Sequence, residues 1–163
     1  ANPHAVPSDR VIEKGDFVLM DYGAGYCDYR SDMTRTVVMG EPTQEQLDLY
    51  ALVRRTHEEC VAAIHPGVEG NDIFKLSKKI IGDAGYGDYY NHGLGHGVGI
   101  DIHELPNFNR SKNIIEVGSV ITMEPGVYLP GVGGVRLEDY GVVTENGYEP
   151  FTKTPHDLHV IDC

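Results

Sequence analysis

At 163 residues the chain is long enough for one domain with its own core, and 40% hydrophobic with 23% charged residues is the composition of an ordinary globular protein. The formal net charge of −12 argues against a nucleic-acid or anionic-membrane partner, because both need a basic face. No apolar run approaches the roughly 18–20 residues that cross a bilayer, and Cys27, Cys60 and Cys163 form no CxxC pair, which favours a reducing, cytoplasmic setting over a disulfide framework. Excess acid either keeps the surface soluble or awaits cations.

In chain order, Phe17-Val18-Leu19-Met20-Asp21 predicts a buried strand and 33–39 a second, with the Gly- and Tyr-rich stretch between them forming a hairpin or loop. Thr43-Gln44-Glu45-Gln46 fits a capping box that opens a helix, with Leu47, Tyr50, Ala51, Val61 and Ile64 near one stripe and Pro66-Gly67 beyond its end. Asn71 is read as the cap of a second helix carrying Ile73, Leu76 and Ile80 and stopping at Gly85. The chain is then rich in Gly and His to Glu104, and residues 119–124 and 135–143 predict another pair of strands around a turn at Pro130-Gly131.

A repeat runs through this order. Glu13, Gly15, Met20 and Asp21 occupy the same offsets as Glu116, Gly118, Met123 and Glu124, and a second carboxylate follows 11 residues after Asp21 (Asp32) and 14 after Glu124 (Glu138). The second half reads helix, helix, His-rich segment, hairpin, whereas the first holds only its last two parts, with His4 in place of the His-rich segment. The symmetry therefore predicts that two helices are missing from the front and that the chain is a fragment of a longer one.

A carboxylate ending an apolar strand is costly unless it is paired or bound to metal. Either strand-end acid alone is more simply read as facing solvent. Asp21 and Glu124, each with a partner acid on the following strand, make a cluster of four whose repulsion divalent cations would relieve. His92, His96 and His103 lie within twelve residues and are spaced by glycines that let side chains converge. His103-Glu104-Leu105-Pro106-Asn107 fails the HExxH pattern, the glycines at 93, 95, 97 and 99 do not satisfy GxGxxG, and neither a Ser nucleophile elbow nor a Walker loop is present. Metal-assisted hydrolysis is the chemistry that remains.

Asp21-Tyr22-Gly23-Ala24, Ser31-Asp32-Met33-Thr34-Arg35-Thr36, His92-Gly93-Leu94-Gly95-His96, Met123-Glu124-Pro125-Gly126-Val127-Tyr128 and Val135-Arg136-Leu137-Glu138-Asp139 together resemble the pita-bread metallopeptidases. Within that family the chain is most similar to Xaa-Pro dipeptidases (prolidases) and aminopeptidase P, from His4 to its end. The resemblance implies an α+β pita-bread fold with a pseudo-twofold internal repeat, here lacking its first helices. It also implies that residues 1–163 form a single C-terminal catalytic domain, incomplete at its N-terminal side.

By the same resemblance Asp21 holds one metal ion, His96 and Glu124 hold the other, and Asp32 and Glu138 bridge both. Such an oxygen-rich set suits Mn²⁺ or Co²⁺, with Zn²⁺ admissible, and a water bridging the pair would lose a proton near neutral pH and attack the scissile carbonyl. Glu124 is expected to shuttle protons, and His103 and His92 to steady the carbonyl oxygen. Arg136 is expected to orient the bridging acid or the substrate, and His4 to face the substrate pocket.

The implied substrate is a small peptide with proline at its second position, and a homodimer is expected of the full-length parent. The rivals are aminopeptidase P, methionine aminopeptidase, and a metal-free relative that has lost its ligands and serves as a hydrolase or a binding module. Intact Asp21, Asp32, His96, Glu124 and Glu138 speak against the last.

Overall fold

The apolar run after Asp16 forms strand β1 (Phe17–Tyr22) of a computed structural model that describes residues 1–162. Two short strands, β2 (Gly25–Tyr26) and β3 (Tyr29–Arg30), make a hairpin tip whose turn places Cys27 and Asp28 at φ 48° and 69°. Strand β4 (Met33–Met39) then returns antiparallel to β1. Helix α1 (Gln44–Ala62) opens on the expected capping box: Thr43 Oγ1 accepts from the Gln46 N–H at 3.2 Å, and Gln46 Oε1 accepts from the Thr43 N–H at 2.9 Å. Helix α2 (Gly70–Asp83) ends where Gly85 adopts φ 88°.

The second half continues with β5 (Gly95–Gly97), β6 (Glu104–Phe108), β7 (Val120–Met123) and β8 (Gly126–Leu129). Strands β9 (Gly133–Arg136), β10 (Asp139–Thr144), β11 (Gly147–Pro150) and β12 (His159–Ile161) complete it. One sheet has the order β1-β4-β12, with β12 parallel to β4, and a second has the order β11-β10-β7-β5-β6. Strands β8 and β9 form a separate hairpin. Both helices cover the second half. Cys60, Ile64 and Ile73 pack with Leu94, Phe108, Ile121 and Met123, while Leu49, Val53 and Ile81 pack with Val127, Val135 and Leu137.

The repeat extends to individual hydrogen bonds. Gly15 (φ 93°) donates to Met39 O at 2.7 Å, and Gly118 (φ 88°) donates to Val143 O at 2.8 Å. Asp16 and Ser119 each donate back three residues, to Glu13 O and Glu116 O, at 3.1 Å. Met39 N–H to Asp16 O and Val143 N–H to Ser119 O both span 2.9 Å. The Glu-x-Gly signature is thus a tight turn with a positive-φ glycine that feeds each hairpin.

Four local expectations shift. Strand β1 is not buried: it is paired only with β4, and its Met20 and Tyr22 are 39% and 53% exposed. The inward face of α1 carries Leu49, Val53, Thr56, His57 and Cys60, whereas Leu47 and Ala51 face outward, because two of the inward positions are polar and a hydrophobic reading passes over them. Glu69, not Asn71, is the N-cap of α2, and the Asn71 amide instead donates to Asn109 O at 2.8 Å. The second strand pair is broken in two, since Pro125 supplies no N–H to a ladder and Glu138 turns away to pair with Thr34.

A Cβ added at Gly15 or Gly118 meets nothing within 4 Å, so alanine there costs only the left-handed backbone strain. Gly15→Ala and Gly118→Ala are each expected to lower stability by about 1–2 kcal/mol, and by similar amounts, in urea unfolding.

Candidate metal centre

Two strand ends from one half of the chain meet two from the other across a single backbone bridge. Glu138 N–H donates to Thr34 O at 3.1 Å, and Thr34 N–H donates to Glu138 O at 3.3 Å. Asp32 lies two residues before Thr34 and so shares its face of the strand. Thr34 Oγ1 donates to Glu138 Oε2 at 2.6 Å, fixing that carboxylate. On the other side, the His96 N–H donates to Thr122 Oγ1 at 3.1 Å and the Glu124 N–H to Leu94 O at 2.8 Å. Gly95 presses so closely on the Thr122 backbone that no side chain would fit between them, which brings His96 into the cleft.

His4, Asp21, Asp32, His92, His96, His103, Glu124, Arg136 and Glu138 all line one cleft of about 240 Å³. Ligand atoms of Asp32, His96 and Glu138 lie within 4.8 Å of one another. His96 Nε2 is 3.6 Å from both Asp32 Oδ2 and Glu124 Oε1. Asp21 stands at the rim with its side chain 46% exposed and its carboxylate ion-paired to Arg136 Nη2. Arg136 is 2% exposed; its Nε donates to Thr34 Oγ1 at 3.2 Å, and its Nη1 donates to Tyr128 Oη at 2.9 Å and to Pro3 O at 3.1 Å.

The donor chemistry fits divalent cations. His96 Nδ1 faces Gly97 O at 3.0 Å, and a carbonyl only accepts, so Nδ1 carries the proton and the Nε2 lone pair points between the two acids. Burial lowers the pKa of His96, keeping the ring in the neutral form that a metal requires. Burial, and then the charge of Asp21, pushes Asp32 up to about 6. Burial pushes Glu124 up to about 8, against the pull of Arg136 and with the charges of Asp32 and Asp21 adding to it. Glu138 is raised well above the usual carboxylate range, first by burial and then by the charges of Glu124 and Asp32. Protons hold this cluster together unless cations replace them.

The histidines divide by contact. His92 Nδ1 donates to Gly93 O at 2.6 Å, which leaves Nε2 to accept from Tyr128 Oη at 3.0 Å, and burial depresses its pKa to about 4. The His103 ring lies edge-on to His96 with centroids 4.3 Å apart, and its residue is exposed to the cleft mouth. Thr34, Thr122 and Tyr128, which orient the acids, His96 and His92, had no role in the sequence reading. Thr34 was within reach, because strand alternation puts Asp32 and Thr34 on the same side. Asn107 and Asn109, which also line the cleft, carried no signal beyond their residue type.

Residues 1–145 match the family model of metallopeptidase family M24. The chain is 45% identical over 159 residues to an Xaa-Pro dipeptidase of Pyrococcus furiosus, covering 97% of this chain and 46% of that one. The crystal structure of the prolidase from Pyrococcus horikoshii OT3 superposes with a TM-score of 0.93 at 43% identity, over 96% of this chain and 46% of the other. An X-Pro aminopeptidase from Thermotoga maritima superposes with a TM-score of 0.94 at 36% identity, over 98% of this chain and 46% of the other. The fold is the pita-bread fold of these prolidases, and the chain spans about half the length of the curated relatives it matches.

Two outcomes follow from the cluster. Glu124 and Glu138 bind protons in the folded state at pH values where the unfolded chain, with carboxylates near 4.5, has lost them, so stability falls as pH rises toward the folded values. Between about pH 7.5, one unit above the ordinary histidine pKa, and about pH 8, the melting temperature of chelator-treated protein is expected to decline, and added Mn²⁺ to flatten the slope. Thr34→Val, which removes the hydroxyl from Glu138, is expected to weaken metal affinity about 10–100-fold in a competition titration.

Proposed function

The chain belongs to metallopeptidase family M24, and from that membership and the geometry of the cleft we propose that it is the hydrolytic domain of an Xaa-Pro dipeptidase. The observation that carries the reading is the meeting of Asp32 and Glu138 with His96 and Glu124, four groups from both halves of the repeat, in a cleft that also takes in Asp21. In this proposal Asp21 would hold one divalent ion, His96 and Glu124 would hold a second, and Asp32 and Glu138 would serve both. The oxygen-rich set favours Mn²⁺, with Co²⁺ and Zn²⁺ as alternatives. Ions bound there would acidify a water and polarise the scissile carbonyl.

The chain's own residues supply the rest. Glu124, lining the cleft 3.6 Å from His96 Nε2, would in its carboxylate form take a proton from the attacking water and return it to the leaving nitrogen. That return matters for an Xaa-Pro bond, whose nitrogen belongs to a tertiary amide with no N–H of its own. His103, exposed at the mouth, would donate to the substrate carbonyl oxygen. His92 already accepts from Tyr128, so it acts as a positioning residue within the chain Arg136–Tyr128–His92. Arg136 is buried on Asp21, Thr34 and Tyr128, which favours orientation of the acids over contact with substrate. His4 lines the cleft and would close its substrate side.

Residues 1–163 form one catalytic domain in this reading, and a homodimer of the whole protein is part of the proposal. The names of the relatives in Pyrococcus furiosus and Pyrococcus horikoshii support dipeptide substrates. The X-Pro aminopeptidase likeness supports the second reading, release of an N-terminal residue from longer peptides. The whole protein with Mn²⁺ is expected to hydrolyse Gly-Pro faster than a Gly-Pro-Xaa tripeptide; the reverse order selects the aminopeptidase. Glu138→Ala is expected to lower kcat/KM at least about 100-fold, and unchanged hydrolysis would defeat the proposal.

A further inference from the structure

Away from the cleft, two imidazoles from separate elements converge on one carboxylate oxygen of a third. His57 comes from the buried face of α1, Asp139 from the start of β10, and His156 from the segment before β12. His156 Nε2 lies 2.6 Å from Asp139 Oδ2, and His57 Nε2 lies 3.4 Å from the same atom. One ligand atom from each of the three lies within 4.8 Å of the others. His57 is 3% exposed, yet neither of its ring nitrogens has a hydrogen-bond partner. Buried polar groups are nearly always satisfied, and a bare neutral imidazole leaves an N–H without an acceptor and a lone pair without a donor.

We propose that His57, Asp139 and His156 hold a divalent cation of the zinc class, distinct from the catalytic ions, that staples α1 to β10 and to the chain before β12. Ligands at about 2.0–2.1 Å from a tetrahedral ion stand about 3.4 Å apart, which is the His57–Asp139 separation. His156, with a quarter of its side chain exposed, needs to withdraw by only about 1 Å to complete three corners. Water takes the fourth. Two imidazoles and one carboxylate form a softer set than the four carboxylates of the cleft, so the two places select differently among metals.

Arg35 explains why Asp139 presents Oδ2 to the imidazoles. Its Nη2 donates to Asp139 Oδ1 at 2.6 Å and to Thr154 O at 2.8 Å, its Nη1 to Thr34 O and Glu138 O, and its Nε to Pro155 O. That web fixes the carboxylate's rotation, as the outer partner of a metal ligand does. The guanidinium charge opposes a cation held by charge alone and favours one held by directed imidazole lone pairs. The cation lies beside the backbone from which Glu138 enters the cleft, so its effect falls on stability and not on the reacting atoms.

The test uses the whole protein, stripped with a chelator, equilibrated with Zn²⁺ and freed of excess. Wild type is expected to retain one equivalent more than His57→Gln and one more than His156→Gln, whatever the cleft holds, with unchanged far-UV circular dichroism. Replacing Zn²⁺ by Co²⁺ should give four-coordinate absorption bands that both variants lose. In an Asp32→Asn/Glu138→Gln background one equivalent should remain, which separates this site from the peptidase reading; if that background does not fold, the His57→Gln and His156→Gln comparisons decide. Equal zinc in wild type and both variants overturns the proposal and leaves only the His156–Asp139 hydrogen bond beside His57.

Discussion

The two-bond backbone bridge between Thr34 and Glu138 is the contact on which the arrangement of this molecule turns, because it is where the two halves of the repeat are stitched together. Each half is a hairpin fed by a tight Glu-x-Gly turn, and a hairpin alone would leave its strand-end acids in solvent. Pairing Thr34 with Glu138 turns those ends toward one another and encloses Asp32, Glu124 and Glu138, with Asp21 left at the rim. Glu138 is drawn out of the β7–β10 ladder to do so, which is why that pair of strands breaks and resumes as β8 and β9.

The electrostatic character of the cleft follows from that burial. Three acids are pushed far above their ordinary range by loss of water and by one another, while Arg136, itself enclosed, holds Asp21 and lies 3.9 Å from Glu124. One guanidinium cannot balance Asp21, Asp32, Glu124 and Glu138. The site therefore stores an electrostatic debt that either protons or divalent ions must settle, and His96, neutral with its lone pair turned inward, biases the outcome toward metal. Hydroxyls at Thr34 and Tyr128 orient Glu138 and Arg136, and the Thr122 hydroxyl holds the backbone of His96.

Several of these features were legible from residues alone, for physical reasons. Acids at the ends of apolar strands are rare enough to be informative, and their recurrence at matched offsets made the repeat visible before any coordinates. The Thr43–Gln46 capping box and the glycine at position 85 are local devices that need only their neighbours, and both are found where the sequence puts them. The α1 stripe departs from its hydrophobic pattern because Thr56 and His57 are polar residues turned inward, and inwardness is a property of the packing partner. Apolar content cannot tell a central strand from an edge strand, so β1 reads as buried in sequence and lies at a sheet edge in the fold.

The sequence by itself determined both helices, the strands that end on Asp21 and Glu124, and the duplication, since periodicity, turn chemistry and charge are written in nearest neighbours. Tertiary structure alone decided which hydroxyls orient the groups of the cleft, that His92 is committed to Tyr128, and that Arg35, His57, Asp139 and His156 assemble a second polar cluster. His57 and Asp139 are separated by dozens of residues of chain, and no local pattern encodes their encounter. It arises only when α1 is laid against β10, because contact between distant positions is a consequence of packing.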